Sequence, residues 1–342
     1  MISLLVVNYR SAALAAEAVR GARAWTSSPL QVVIVDNSED PREAEALRGV
    51  ADTLIVADAN RGYAGGINLG RPACSGSTIV ISNPDVVFAP DCLDWLNDAL
   101  VDAAVAGPAL FWDDRYRWRL PPGDLNTAPE KLDAILAGRS RAWFEERDRR
   151  RFRQRVRFWS LEKTTPVRML SGAVLAVRAD DFDRAGGFDE RFPLYFEESD
   201  FLRRISALRR RIVYVPAARC RHLYNQSASQ VAGEASARYA QSELRYLEKW
   251  NGPFLGRLLK KLERPLPDFE AATIALPLPL DRDELVVEVS PLPSFTTAAG
   301  SFPADRTVDL PAEVLRSTNI PLYLRTAVRA TGAVTGTYKI AG

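Results

Sequence analysis

The sequence predicts an α/β protein: a mostly parallel central sheet with helices on both faces, followed by a small β-rich module at the C-terminus. Three observations predict it. In the N-terminal third, short apolar runs rich in β-branched residues alternate with helical patterns. Polar turn residues close each of those runs. From about Leu266 the chain changes to Pro-rich, β-forming sequence.

The elements follow in order. "ISLLVV" (Ile2 to Val7) is a short apolar run, the signature of a strand buried on both faces. Ser11 caps an Ala-rich helix that reaches about Trp25. "VVIVD" (Val32 to Asp36) is a second buried strand, and "PREAEALRG" a helix with Pro at its start and Gly at its end. "TLIVA" (Thr53 to Ala57) is a third strand, "GGINLGRPA" opens a short helix, and "TIVIS" (Thr78 to Ser82) is a fourth strand. "PDCLDWLNDAL" is a helix and "AVAGPAL" a fifth strand. The Arg-rich "RSRAWFEERDRRRFRQRVRFW" reads as a polar helix. It is either a solvated helix docked through its aromatics or a basic flap facing an anionic acceptor or lipid head groups. "VRMLSGAVLAVR" (Val167 to Arg178) is the next strand, with Ser171 and Gly172 at its centre, and "DDFDRAGGFDERF" a short helix ending at a Gly pair. "RIVYVPAARCRH" (Arg211 to His222) is a strand followed by the chain's only histidine. Two amphipathic helices follow, "EASARYAQSELRYLEKW" and the basic "PFLGRLLKKLERPLP". The second packs on the domain or rests on a membrane surface. Residues 1–265 form the main domain on this reading, and residues 266–342 a small β module.

Composition narrows the function. A net charge of +2 supplies no global field for nucleic acid. Cys74, Cys92 and Cys220 are odd in number and far apart, so neither a disulfide framework nor a zinc site is expected. "MISLLVVNY" lacks the features of a signal peptide, and no apolar run approaches the ~20 residues that span a bilayer. A cytoplasmic protein is expected, with room for peripheral contact with the inner face of the plasma membrane.

In a sheet of this kind ligands bind beyond the carboxyl ends of the strands. Asn8, Asp36 with Asn37, Asn60, and the run Asn83 to Asp85 all follow strands. Each also suits a plain turn; the recurrence at four strand ends favours a site. "NRGYAGGINLG" lacks the GxGxxG order of a dinucleotide fingerprint. Its Gly65 and Gly66 permit close approach of backbone to a ligand, and Asn68 falls in the first helical turn. "PLYFEESDFLRR" places Glu197, Glu198 and Asp200 behind two aromatics. Acids suit the first turn of a helix, and a crowded carboxylate also suits an active site. His222 lies a helix and a strand after Glu198, a return that can bring it to the same edge. Asp85 and His222 then offer oxygen and nitrogen donors for Mn²⁺ or Mg²⁺, with a diphosphate completing the shell.

The motifs "VVNY", "VIVDNSED", "NRGYAGGINLG", "SNPDVVF", "LSGAVLAVR", "GGFDERFPLYFEESDFLRR" and the trailing "RH", in this order over about residues 1 to 250, resemble the inverting glycosyltransferases of family 2, most closely the rhamnosyltransferase-like branch. The resemblance implies a GT-A fold and a nucleoside-diphosphate sugar donor linked to dTDP, UDP or GDP. It implies that Asp36 contacts the nucleobase and that the Asn60–Gly70 segment, with Arg61, Gly65, Gly66 and Asn68, lines the nucleotide site. Asn8, Asn37 and Gly172 join that donor site. Asp85 matches the metal-binding acid of a DxD motif whose first position is Asn83 here, and His222 matches the second metal ligand. Glu198 matches the general base, where the family usually has Asp; Glu197 binds substrate hydroxyls, and Asp200 pairs with Arg203 or Arg204 or caps the helix. The implied acceptor is a hydroxyl of a glycan or lipid-linked saccharide in cell-surface polysaccharide synthesis, and a homodimer is left open. A sugar-phosphate nucleotidyltransferase and a non-catalytic scaffold of the same fold are the alternatives.

Overall fold

The computed structural model describes residues 1–342 except 223–231, 268–270, 282–283, 305, 317–320 and 341–342, and at 232–236, 313 and 316 the backbone alone. The N-terminal half runs β1 (Ile2–Asn8), α1 (Ala12–Trp25), β2 (Leu30–Asp36), α2 (Pro41–Leu47), β3 (Thr53–Val56), α3 (Gly62–Gly70) and β4 (Thr78–Ser82). It continues through β5 (Val86–Phe88), α4 (Cys92–Ala99), β6 (Val105–Phe111), α5 (Ala128–Ala137), α6 (Arg141–Trp159) and β7 (Thr165–Pro166). Then come β8 (Val174–Arg178), α7 (Ala179–Arg184), α8 (Glu197–Ala207), β9 (Ile212–His222), α9 (Ala232–Asn251) and α10 (Pro253–Leu262).

The main sheet has the order β3-β2-β1-β4-β8-β6-β9-β5, with β7 paired to β9. Its apolar runs are continuous because both faces are covered. On β1, Ile2, Leu4 and Val6 face one core with Ala15 and Val19 of α1, while Leu5 and Val7 face another with Ala64 and Ile67 of α3. The alternation of side chains along a strand makes that division. Neither face meets water, so no polar stripe marks the strand.

The structure refines the expected topology. β3, β2, β1 and β4 are parallel, as the βα rhythm requires. Beyond them β8 runs antiparallel to both β4 and β6, so the parallel part is confined to the first half and to the β6–β9 pair. The three-residue β5 is an additional strand, antiparallel to β9. The strand expected from Val167 begins at Val174. Ser171 and Gly172 lie in the turn before it, where Ser171 Oγ accepts from Ala173 N–H at 3.3 Å. His222 ends β9 rather than following it. Among the described residues no helix is long and apolar enough to cross a membrane.

The C-terminal region holds β10 (Ala272–Ile274), β11 (Leu278–Pro279), β12 (Leu285–Ser290), β13 (Ala299–Ser301), β14 (Thr307–Val308), α11 (Ala312–Arg316), β15 (Tyr323–Val328) and β16 (Val334–Ile340). Five of these strands form a sheet ordered β10-β16-β15-β12-β13. The expected boundary at 265/266 falls in the link between α10 and β10. The Arg-rich α6 is the strut between the two regions. Its Phe152, Val156 and Trp159 pack with Val286 and Ala327 of the small sheet. Arg155, 3% exposed, donates to Glu288 Oε1 at 2.7 Å, and Arg325 Nε donates to Glu288 Oε2 at 2.9 Å. Most other α6 cations are spent on acids: Arg147 and Arg150 on Asp133, Arg151 on Asp124, Arg149 on Glu146. The packed reading of this helix, rather than the basic flap, fits these contacts.

Candidate functional site

The parallel strands place their carboxyl ends on one edge, and register pairs Asn8 with Asp36 there. Asn8 Nδ2 donates to Asp36 Oδ1 at 2.9 Å, to Ser38 Oγ at 3.1 Å and to Glu43 Oε2 at 3.0 Å. Its Oδ1 accepts from Ser11 Oγ at 2.9 Å, so Ser11 serves Asn8 and does not cap α1 with its side chain. Glu43 takes over that duty by accepting from Ala12 N–H at 2.9 Å. Asn8 is thereby a positioning residue with no amide capacity left for a ligand. Asp36 differs. Its Oδ1 accepts from Ser38 N–H and Oγ–H, while its Oδ2 is buried without a hydrogen-bond partner. Asn37 donates to the Gly62 carbonyl at 2.8 Å, and its Oδ1 is likewise buried and unpartnered. Two orphaned acceptors on one edge are costly unless something donates to them.

Segment 60–70 closes over this edge. Asn60 Oδ1 accepts from Gly62 N–H, and Tyr63 N–H donates to the Pro193 carbonyl at 2.7 Å. Gly62 has φ +71, and a Cβ there would lie 2.7 Å from that same carbonyl oxygen, so glycine is required. Gly65 and Gly66 are buried in protein: a Cβ on Gly66 would stand 2.7 Å from Val7, and one on Gly65 2.9 Å from Arg61. Asn68 places its amide on Phe188, giving Nδ2–H to its carbonyl at 2.8 Å and taking its N–H at 2.9 Å. Arg61 pairs with Asp58 at the surface. In the donor set named from the sequence, Asp36 and Asn37 therefore present unspent acceptors. Asn8, Gly65, Gly66 and Asn68 hold the frame.

Register places Val86 opposite His222, which brings Asp85 beside the imidazole. His222 Nε2 lies 3.4 Å from Asp85 Oδ1. Burial pushes the Asp85 carboxyl up, but the imidazole more than offsets it and holds the group below the usual range. Asn83 sits at the turn, its N–H on the Ala173 carbonyl at 2.9 Å. Among the described residues no cluster of three His, Cys, Asp or Glu could hold a metal. Asp85 and His222 fit a cation that takes two donors from the protein and the rest from a phosphate ligand: one hard oxygen, one imidazole, both buried.

The acids of α8 form the second charged group. Tyr195 and Phe196 both adopt φ +67, a left-handed conformation that costs about 1–2 kcal/mol per residue. Aromatic packing holds them there: Tyr195 and Phe196 contact Tyr239 at 5.5 and 5.2 Å between centroids, and Phe196 contacts Tyr246 at 5.3 Å. This turn aims Glu197 and Glu198 inward. Burial raises both carboxyls, and the neighbouring charge raises Glu197 further. Glu197 Oε2 is buried without a partner. Glu198 Oε1 accepts from Ser199 Oγ at 3.1 Å and abuts Gly172, which leaves space for it. Asp200 pairs with Arg204 at 2.8 Å, as the helical spacing indicates. It also takes Lys249 at 2.6 Å and Trp250 Nε1 at 2.9 Å, and it is fully buried. Its role is a structural hub, and it exceeds the simple helix-end pair expected from the sequence.

Tyr63 was not singled out from the sequence. Its hydroxyl is buried and unpartnered, and burial, then the charges of Glu197, Asp85 and Glu198, raise its pKa. One phenol thus feels both Asp85 and the carboxylate pair. The signal available was its place inside the Gly-rich run, which an aromatic core residue would share.

The sequence model of the family described as "Glycosyltransferase like family 2" matches residues 1–245. An N-acetylglucosaminyl-diphospho-decaprenol L-rhamnosyltransferase of Mycobacterium tuberculosis is 28% identical over 254 residues, covering 67% of this chain and 79% of the relative. Rhamnosyltransferase WbbL of Escherichia coli K12 is 31% identical over 90 residues, covering 26% and 34%. Among solved structures, mannosyltransferase PcManGT from Pyrobaculum calidifontis in complex with GDP-Man and Mn²⁺ aligns with a TM-score of 0.49 at 18% identity, covering 76% of this chain and 68% of that one. GalNAc-T7 with UDP, GalNAc and Mn²⁺ aligns with a TM-score of 0.48 at 12% identity, covering 77% and 55%.

Proposed function

The chain belongs to glycosyltransferase-like family 2 and is a glycosyltransferase, and from that premise we propose that it transfers a sugar from a nucleoside-diphosphate donor to an acceptor hydroxyl with inversion at the anomeric carbon. One observation carries the reading. An oxygen–nitrogen donor pair, Asp85 and His222, and a raised carboxylate pair, Glu197 and Glu198, stand about the same buried phenol.

Each group has a chemical task. Asp36 Oδ2 and Asn37 Oδ1 accept N–H or O–H groups of the nucleoside. Glu198 takes the proton of the acceptor hydroxyl as its oxygen bonds to the anomeric carbon and the bond to the diphosphate breaks on the opposite face. General-base assistance of this kind is worth about 10²–10⁴-fold. Glu197, with Oε2 unspent, accepts from a substrate hydroxyl. Asp85 and His222 would hold Mn²⁺ or Mg²⁺, which when bound supplies positive charge to the departing diphosphate. Similarity to the L-rhamnosyltransferase of Mycobacterium tuberculosis favours a rhamnose-like deoxysugar over a hexose and a polyprenyl-diphosphate-linked saccharide as acceptor.

A screen of UDP-, GDP- and dTDP-sugars with Mn²⁺ tests the reading, because a ligand that binds the native state raises its melting temperature. One donor class should stabilise the chain, and NMR of the transfer product should show the inverted anomer. Pyrophosphate release from a nucleoside triphosphate and a sugar phosphate would instead identify a nucleotidyltransferase. No stabilisation by any donor would leave a scaffold.

A further inference from the structure

Helix α10 presents two unlike faces. Gly256 and Leu259 turn inward onto α9, and a Cβ at Gly256 would lie 2.6 Å from the backbone nitrogen of Glu248. That close approach fixes which side faces out. On the outer side Phe254 is 83% exposed, Leu255 40% and Leu258 38%. Phe254 and Leu258, one turn apart, form an apolar row. Arg257 and Lys261, also one turn apart, run beside it. Arg257 keeps 72% of its side chain exposed while pairing with Glu248. Lys261 and the exposed Arg264 make no ion pair among the described residues, and exposed Arg139 reaches the Leu262 carbonyl at the end of the helix.

Single exposed apolar residues are ordinary on a protein surface. A phenylalanine and two leucines contiguous on one helix, bordered by cations, are the makings of an interfacial helix. We propose that α10 docks the protein on an anionic phospholipid surface. Phe254, Leu255 and Leu258 enter the boundary between head groups and acyl chains; Arg257, Lys261 and Arg264 meet the lipid phosphates. Charge selects this occupant over a second copy of the chain, since a two-fold contact through this face would bring the same cations together. The docking does not rest on the transfer reaction. It adds a location to it: α10 packs on α9, and Tyr239 and Tyr246 of α9 pack on Phe196, the residue before Glu197. The acceptor side of the site is one helix away from the docked surface.

The test is sedimentation of the full chain with vesicles of phosphatidylglycerol and phosphatidylcholine, against phosphatidylcholine alone. The protein should bind the anionic vesicles and release as salt is raised. Neutralising Arg257 and Lys261 (Arg257→Gln with Lys261→Gln) should lower partitioning by about fivefold per cation. Phe254→Ser with Leu258→Ser should lower it by about tenfold or more. Both variants should keep the parent's melting temperature and nucleotide-sugar binding, which separates failure of docking from failure of the transfer reading. Absence of binding to anionic vesicles by the parent overturns the proposal, as does unchanged binding by both variants. A dimeric parent with monomeric variants and no vesicle binding assigns the face to a second copy and overturns it equally.

Discussion

A Cβ placed on Gly172 would lie 3.0 Å from Cγ and 3.1 Å from Cβ of Glu198. The turn before β8 and the first turn of α8 therefore meet at the proposed base, and the absence of a side chain at 172 sets where its carboxylate stands. Gly172→Ala should push Glu198 by a few tenths of an ångström. Since displacement of a reacting group by about 1 Å can cost 10²-fold, a loss in kcat of about tenfold is expected, with donor affinity retained. Steady-state kinetics with donor titration checks this. Parental kcat in the alanine variant would remove Glu198 from the reaction.

Asp85→Ala and His222→Ala should each lose the Mn²⁺-dependent part of nucleotide binding, read as the gain in melting temperature when metal is added to protein and nucleoside diphosphate. Transfer should fall by at least about 100-fold, since even the partners behind metal ligands are worth 10–100-fold. A variant that still gains stability from Mn²⁺ places the cation elsewhere.

The pair Glu197 and Glu198 predicts a pH dependence. Burial raises both pKa values, and the charge of Glu198 raises Glu197 further, so the base form of Glu198 appears only as pH climbs through a range above the ordinary glutamate. kcat/KM should rise with pH through a limb above about 4.3, the reference value. Glu197, raised further by the Glu198 charge, is still protonated while Glu198 titrates, so Glu197→Gln should leave that limb near its parental position. Stability has the opposite slope. The unfolded chain releases these protons first, so the pair's contribution to stability decreases as pH rises through the same range. A limb that moves well down in the glutamine variant would show that Glu197 is already charged while Glu198 titrates.

Glu288 tests the docking of the C-terminal module, proposed as residues 266–342. Burial pushes its carboxyl up, and Arg155 with Arg325 more than offsets this, leaving it below the ordinary value. For a lowered carboxyl the contribution to stability is complete above the unfolded-state value and is lost as pH falls through the folded one. Acid should therefore loosen the contact between α6 and the small sheet. Glu288→Ala leaves the buried Arg155 guanidinium without its carboxylate, while Arg325 keeps Asp148, and should cost about 3–5 kcal/mol in urea unfolding. A loss under about 1 kcal/mol, the range of exposed pairs, would mean that water reaches the cluster.

The sequence by itself determined the strands β1, β2 and β4, the helices α1, α2 and α6, and the change of character near Leu266. These signals are local: a strand covered on both faces must be apolar throughout, and a helix repeats its apolar face every turn. It also singled out the residues proposed to carry the chemistry, because the order of motifs holds Asp36, Asp85, Glu198 and His222 at strand and helix ends. The tertiary structure alone decided how each polar group is spent. Asn8 and Asn68 are consumed by partners 28 to 35 and 120 residues away. Asp200 is buried by Lys249 and Trp250, about fifty positions later in the chain. The direction of β8, the three-residue β5 that sets Asp85 against His222, and the buried Tyr63 hydroxyl that feels the charges of the acids were equally hidden. Periodicity records whether a side chain is buried; it does not record which distant segment returns to meet it, and hydrogen bonding and pKa depend on that meeting.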